Sequence, residues 1–401
     1  RRMKRLCSMI MALAVLSASA FALNDKVAVW EKIYRDANID GQRIAIILKI
    51  MEFKDREFAP ILTQGLDQLV TGGIETGTVM ARNDKNLLAR LLVRELGDLK
   101  SPEAAELVFR VYTDATESIL RGEAAVALGK IRATDYAPRL ALDLSAINTG
   151  PKPAIARDQE IIALGLVQGL NAMRAAEGYE AVFLASLGWY PSSSRVKETA
   201  KAATLTMVDD PGESLMAIMT KNPSLDIKTT ALETELASNA PADRKADFAK
   251  KALKAGIDRV ANDPTTRAAL IKLRTTATVG LTALKDTSPD AVPLYIEEIK
   301  MDKKNDQTLD ETLKAYVALG VNGSDAAAEY LAAKLSEYNE YEMSKANTPR
   351  DKSLIRQIVA SMALTKNPKV RTALEGASVV DYDANIIRLI KDALAQVPTQ
   401  G

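Results

Sequence analysis

Two carboxylate pairs, Asp209-Asp210 and Asp381 with Asp383, have the side chains for binding a divalent cation or for acid–base work. No calcium-loop pattern surrounds either pair. Both stand where a helix is expected to begin, so the sequence assigns them to capping, where a carboxylate faces the positive end of the helix dipole. The glycine-rich stretch from Thr71 to Thr78 offers backbone N–H groups that could hold an anion. No strand precedes it and the P-loop lysine is missing, so it reads first as a long flexible connection and second as an anion site. Against these stand two counts: no histidine in 401 residues, and one cysteine, Cys7. They remove the usual general base, the commonest metal ligand and a thiol nucleophile from the body of the chain. The reading is therefore a non-enzyme with no cofactor and no metal.

A different chemistry, that of recognition, is offered further along. Tyr330, Tyr338 and Tyr341 fall on one long helix expected at about 324–342, and Glu337, Asn339, Glu340 and Glu342 flank the last two. Arg350, Lys352 and Arg356 follow. Exposed tyrosines beside cations combine apolar area with charge complementarity, which is interface composition. The same residues also fit a plainer arrangement, with the tyrosines packed on the next repeat and the cations paired with the acidic helix before them. Both readings stand at this point.

Elements are needed to position these residues, and their signals begin at the N-terminus. Arg1, Arg2, Lys4 and Arg5 precede an apolar run from Met9 to Leu16, then Ala18-Ser19-Ala20 and Ala20-Phe21-Ala22 offer two overlapping small-residue cleavage sites. Residues 1–22 are expected to be a secretory signal peptide, with cleavage marked by Ala20 or Ala22. The run is shorter than the ~20 residues a bilayer span needs. Cys7 lies before it, where a lipid-bearing cysteine would not. Cleavage would leave 49 basic against 52 acidic side chains, a net charge of −3, and no cysteine. The expected location is the periplasm or outside the cell, with no transmembrane segment in the mature chain.

The composition, 47% hydrophobic and 26% charged with only 5% aromatic, is that of a folded protein whose apolar content is mostly alanine and leucine. It favours close-packed helices over sheets. The body from residue 23 to 401 shows no linker and reads as one domain. LLARLLVRELGDL at 87–99 superposes on ILRGEAAVALGKI at 119–131 when Leu96-Gly97 is laid on Leu128-Gly129, 32 residues apart. Equivalent anchors fall at Ile50, Leu170, Leu205, Leu281, Leu319 and Met362, with a weak one near Leu236, at the period of two-helix repeats. About ten helix pairs are expected. Turns carry start signals such as Ser101-Pro102-Glu103 and Ser288-Pro289-Asp290. The two-proline turn Asn148–Pro153 is expected to break and reorient the stack.

Three first helices start with an acid and then proline: Glu57-Phe-Ala-Pro60, Asp135-Tyr-Ala-Pro138 and Asp290-Ala-Val-Pro293. The second helix reads Leu120-Arg121-Gly-Glu-Ala-Ala-Val-Ala-Leu128-Gly129. Over roughly 41–396 this resembles the HEAT-repeat family, including bacterial variants similar to phycobilisome-lyase repeats. The resemblance implies an all-α fold, an α-solenoid of about ten stacked antiparallel helix pairs, with the second helices lining a concave binding face.

Charge alternates along the second helices. Arg267, Lys272, Arg274 and Lys285 make one positive. Asp306, Asp310 and Glu311 make the next negative despite Lys314, and Arg350, Lys352 and Arg356 make the one after positive. This predicts ion pairs between neighbouring repeats and argues against a continuous basic groove for nucleic acid. The expected function is an exported scaffold that binds a protein or cell-envelope partner through its surface. The alternatives are a structural subunit of an envelope assembly, or an enzyme or chaperone akin to the bilin lyases.

Overall fold

The structure, a computed structural model, describes residues 26–302 and 306–399. The signal expected at 1–22, with Cys7, Ala20 and Ala22, lies outside the described residues, as does the side chain of Asp306. Among the described residues there are helices and turns but no strand, so the fold is all-α. None of the described helices is long and apolar enough to cross a membrane.

The chain divides into two compact units that meet at Val208 and Asp209. The first holds α1 (26–36), α2 (Asp40–Phe53), α3 (Ala59–Gly72), α4 (Val79–Asp98), α5 (Ala105–Asp114), α6 (Ser118–Ile131), α7 (Ala137–Thr149), α8 (Ala156–Met173), α9 (Tyr179–Leu187) and α10 (Arg195–Thr204). The second holds α11 (Gly212–Lys221), α12 (Leu225–Ala237), α13 (Ala242–Asp258), α14 (Pro264–Ala283), α15 (Ala291–Lys300), α16 (Asp306–Asn322), α17 (Asp325–Met343), α18 (Pro349–Thr365), α19 (Arg371–Ala377) and α20 (Ala384–Gln396).

Within each unit the even-numbered helices pack on one another in order, α2 on α4, α6, α8 and α10, and α12 on α14, α16, α18 and α20. From α3 onward the odd-numbered helices form a second layer, each against the even helix that follows it. The anchors predicted from sequence all sit toward the C-terminal ends of even helices or just beyond them. Ile50, Leu96, Leu128, Leu170, Leu281, Leu319 and Met362 are buried. Leu205 and Leu236 are half-buried, which matches the weaker pattern around them.

Close approach explains the glycines in the repeat. A Cβ on Gly129 of α6 would lie 2.5 Å from the carbonyl oxygen of Gly169 in α8. The two backbones touch, and no side chain larger than hydrogen fits there. Helix packing continues across the Asn148–Pro153 turn, with α8 on α6 and α9 on α7. α8 lies tightly on α6, and Asn148 is itself the end of α7, donating to the carbonyl of Ala181 (2.8 Å) and accepting from the Tyr190 hydroxyl (2.8 Å).

The turns after the even helices are stereotyped. Lys54, Lys100, Arg132, Arg174, Lys285 and Lys366 all take positive φ just past helix ends, the left-handed position that closes a helix and usually falls to glycine. A cation there also meets the negative end of the helix dipole. In the first unit a single 3-10 turn follows, as at Arg56–Phe58, Pro102–Ala104 and Thr134–Tyr136, and hands the chain to the odd helix.

The glycine stretch is not a loose connection. Thr71 and Gly72 end α3, and Gly73 and Gly77 take φ of 82° and 105°. Lys85 Nζ donates to the carbonyls of Gly73 (3.0 Å) and Thr76 (3.1 Å), and Glu75 accepts from the Thr116 amide (3.0 Å). The loop turns carbonyls inward onto an ammonium group, so it serves its own lysine.

The ion pairs predicted between repeats are present in part. Arg94 and Arg90 of α4 meet Glu123 of α6, and Arg274 of α14 meets Glu311 of α16. Of the two carboxylate pairs, Asp383 is the N-cap of α20 and accepts from the amides of Asn385 and Ile386 (both 3.1 Å), whereas Asp210 stands one residue before the N-cap Pro211 of α11 and accepts from the Gly212 amide (2.9 Å).

Candidate functional site

A cleft of about 910 Å³ opens in the second unit between the C-terminal end of α17, the start of α18 and the connection from α19 to α20. Its position follows from local sequence. Helix α17 is capped by Ser324, whose hydroxyl accepts from the Ala327 amide (3.4 Å), and runs nineteen residues to Met343, longer than its neighbours. The chain then turns at Lys345, which takes positive φ, and α18 restarts in a capping box formed by Thr348 and Asp351. The C-terminal part of α17, from Ser336 to Met343, makes one wall.

Two asparagines brace the walls. Asn347 donates to the carbonyl of Tyr338 (3.1 Å) and to Glu342 Oε2 (2.8 Å), which ties the α17–α18 turn back to the helix. Asn339 is buried, and its Oδ1 accepts from the Tyr382 hydroxyl (2.9 Å), which fastens the α19–α20 connection to α17. Burial pushes the Tyr382 phenol well above its usual range, so it remains a donor. The polar lining includes Glu340, Glu342, Lys345, Lys352 and Asp381. Two apolar side chains stand exposed in it, Met343 at 67% and Val379 at 86% of full exposure. Gly376 adds open space, since a Cβ there would meet nothing within 4 Å.

Of the residues expected to bind a partner, Lys352 lines this cleft and Tyr338, Tyr341, Arg350 and Arg356 do not. Tyr341 is 44% exposed, and its hydroxyl donates to Glu337 Oε1 (3.3 Å) one turn back. Tyr338 is half-buried and meets Tyr341 edge to face, with ring centroids 6.2 Å apart. Its phenol is held above its ordinary range by burial, with the Asp351 and Glu337 carboxylates adding to the effect. The tyrosines thus split: one packs, one faces solvent.

Each cation carries an intramolecular carboxylate. Arg350 is mostly buried against Asp302, Lys352 Nζ lies 3.7 Å from Glu342 Oε1, and Arg356 lies 3.4 Å from Asp383. Of the three, Lys352 alone lines the cleft. The pairing partners lie before α16, on α17 and before α20, so these cations tie helices to one another, and Lys352 and Arg356 also keep part of their side chains in solvent.

Sequence reasoning missed Met343, Val379, Asn339, Asn347 and Tyr382. A polar residue at a core-facing position of a long helix is the one signal that marks Asn339. Val379 gives no signal, because a single apolar residue in a turn is ordinary. Among the described residues no three histidine, cysteine or acidic side chains gather as they would to hold a metal ion. Comparison with known protein families and with curated proteins gives no match to this chain.

Proposed function

We propose that the chain is an exported interaction scaffold, a HEAT-type α-solenoid that docks a segment of a protein partner in the cleft at the end of α17. The observation that carries this reading is the pair of exposed apolar side chains, Met343 and Val379, standing in a braced polar cleft of about 910 Å³. An apolar centre within a charged rim is how protein interfaces combine affinity with selectivity. The layered helix pairs, with buried anchors Ile50, Leu96, Leu128 and Leu170 in the first unit and Leu281, Leu319 and Met362 in the second, support the solenoid reading. The basic, apolar and small-residue order of residues 1–22 supports export.

The test is affinity capture from a cell-envelope fraction with wild type, Val379→Asp, and a Tyr338→Ala, Tyr341→Ala double variant, each checked for helix content. Loss of one captured protein with Val379→Asp supports the cleft. Equal recovery by all three removes it. N-terminal sequencing of protein isolated from cells checks export: a chain beginning just after Ala20 or Ala22 agrees, and a retained 1–22 segment does not.

A further inference from the structure

The second unit contains an ionic cluster with no access to solvent and an odd number of charges. Arg274 of α14 and Glu311 of α16 have side chains 5% and 1% exposed. Arg274 Nε donates to Glu311 Oε1 (2.5 Å), Nη2 to Oε2 (3.2 Å) and Nη1 to the carbonyl of Gly256 in α13 (3.1 Å). Gly256 leaves the room the guanidinium needs, since a Cβ there would lie 2.7 Å from Arg274 Cγ. Glu298 of α15 completes the cluster. It is 1% exposed, its Oε2 accepts from the Thr278 hydroxyl (2.6 Å), and its Oε1 has no partner.

One cation and two carboxylates leave a net charge of −1 in a dry interior, where an unpaired charge is the most expensive group to bury. A proton removes that charge. Glu311 has both oxygens on a guanidinium, which favours its ionised form. Glu298 has only a hydroxyl. Thr278 of α14 touches it, and the charges of Arg274 on α14 and Glu311 on α16 act on it. The nearby α13 lysines are committed elsewhere, Lys250 to Asp247 and Asp290, and Lys254 to Asp258.

We propose that Glu298 holds a proton in the folded protein at neutral pH and acts as a proton-dependent latch that keeps α14, α15 and α16 packed together. When the proton leaves, the cluster carries an uncompensated charge, and the seam between these helices opens more often. The same seam is tied to α18, because Asp302, between α15 and α16, pairs with Arg350. Burial first, then the Glu311 charge, pushes the Glu298 carboxyl up to about 8, against opposing effects from Thr278 and Arg274. A carboxyl whose folded value lies above its unfolded one stabilises the fold at low pH. That contribution is lost as pH rises from about 4.5 toward 8, by up to tenfold in the folding equilibrium per pH unit.

Two measurements on the full chain test this. Infrared difference spectra of wild type minus Glu298→Gln should show a protonated-carboxyl band at pH 6 that vanishes above pH 8–9. Amide hydrogen exchange, corrected for intrinsic rates, should show protection of α14–α16 falling at least tenfold between pH 6 and 9 in wild type, with α4–α8 unchanged. In Glu298→Gln the fall should be reduced to the part that Glu235 on α12 contributes below about pH 7. No carboxyl band assignable to Glu298 would overturn the proposal. So would equal pH dependence in α14–α16 and α4–α8 of wild type, a comparison that stands even if the variant does not fold.

Discussion

Gly129 and Gly169 meet backbone to backbone: a Cβ on Gly129 would fall 2.5 Å from the Gly169 carbonyl oxygen. This contact sets how closely α6 and α8 approach, and with it the spacing of the first unit's even layer. Gly129→Ala is expected to force the helices apart and cost about 1–3 kcal/mol, the usual penalty for overpacking. A melting temperature equal to wild type in calorimetry would show that the helices do not pack at this distance.

The anchor register gives a second prediction. Leu128 is fully buried on α6. Leu128→Ala should cost about 2–5 kcal/mol through lost burial and a residual cavity. Leu142, 65% exposed on α7, is the control, and its change to Ala should stay within about 0.5 kcal/mol. Denaturant midpoints compare the two directly, and similar shifts at both positions would contradict the register.

Much of this fold was legible in the sequence, because the even helices repeat an apolar end and a polar turn. The sequence pattern alone places Leu96, Leu128, Leu170, Leu281 and Leu319 at helix ends, and all are buried. What was not legible was the closure of those helices. Lys54, Lys100, Arg132 and Arg174 take positive φ just past helix ends, where glycine is the usual residue. Their side chains give no local sign of the backbone state, which is set by the turn that follows. The cleft was half legible. Lys352 was picked out by composition and lines the cleft, Tyr341 was picked out and does not, and Val379 and Asn347 matter only because tertiary packing brings the α19–α20 connection beside the end of α17.

The left-handed basic residues make a third prediction. Arg132 has φ of 63°, which costs a residue with a Cβ about 1–2 kcal/mol that glycine avoids. Arg132→Gly should therefore be neutral or stabilising by up to about 1 kcal/mol, after allowing for the freer unfolded chain. A loss of more than about 1 kcal/mol in chemical denaturation would mean that the arginine side chain itself holds the turn.

Glu235 predicts a pH dependence. It is fully buried on α12 with neither carboxylate oxygen partnered. Burial, with the Asp210 charge adding, raises its carboxyl to about 7 from an ordinary 4.5. The folded value is the higher one, so the stability it confers is complete below about pH 4.5 and is lost as pH rises through 7. Over that window the loss is on the order of 3 kcal/mol. Glu235→Gln should melt higher than wild type at pH 8 and close to it at pH 4.5. The reverse order would place the carboxylate in contact with a cation.

The docking claim is tested most directly by photo-crosslinking from single positions. A photoreactive residue at Val379 or Met343 is introduced in cells, with Leu142 in the first unit as the control. If the cleft holds a partner, both cleft positions will give the same protein adduct and Leu142 will not. Absence of any adduct from the two cleft positions, or an identical set of adducts from Leu142, would contradict the account.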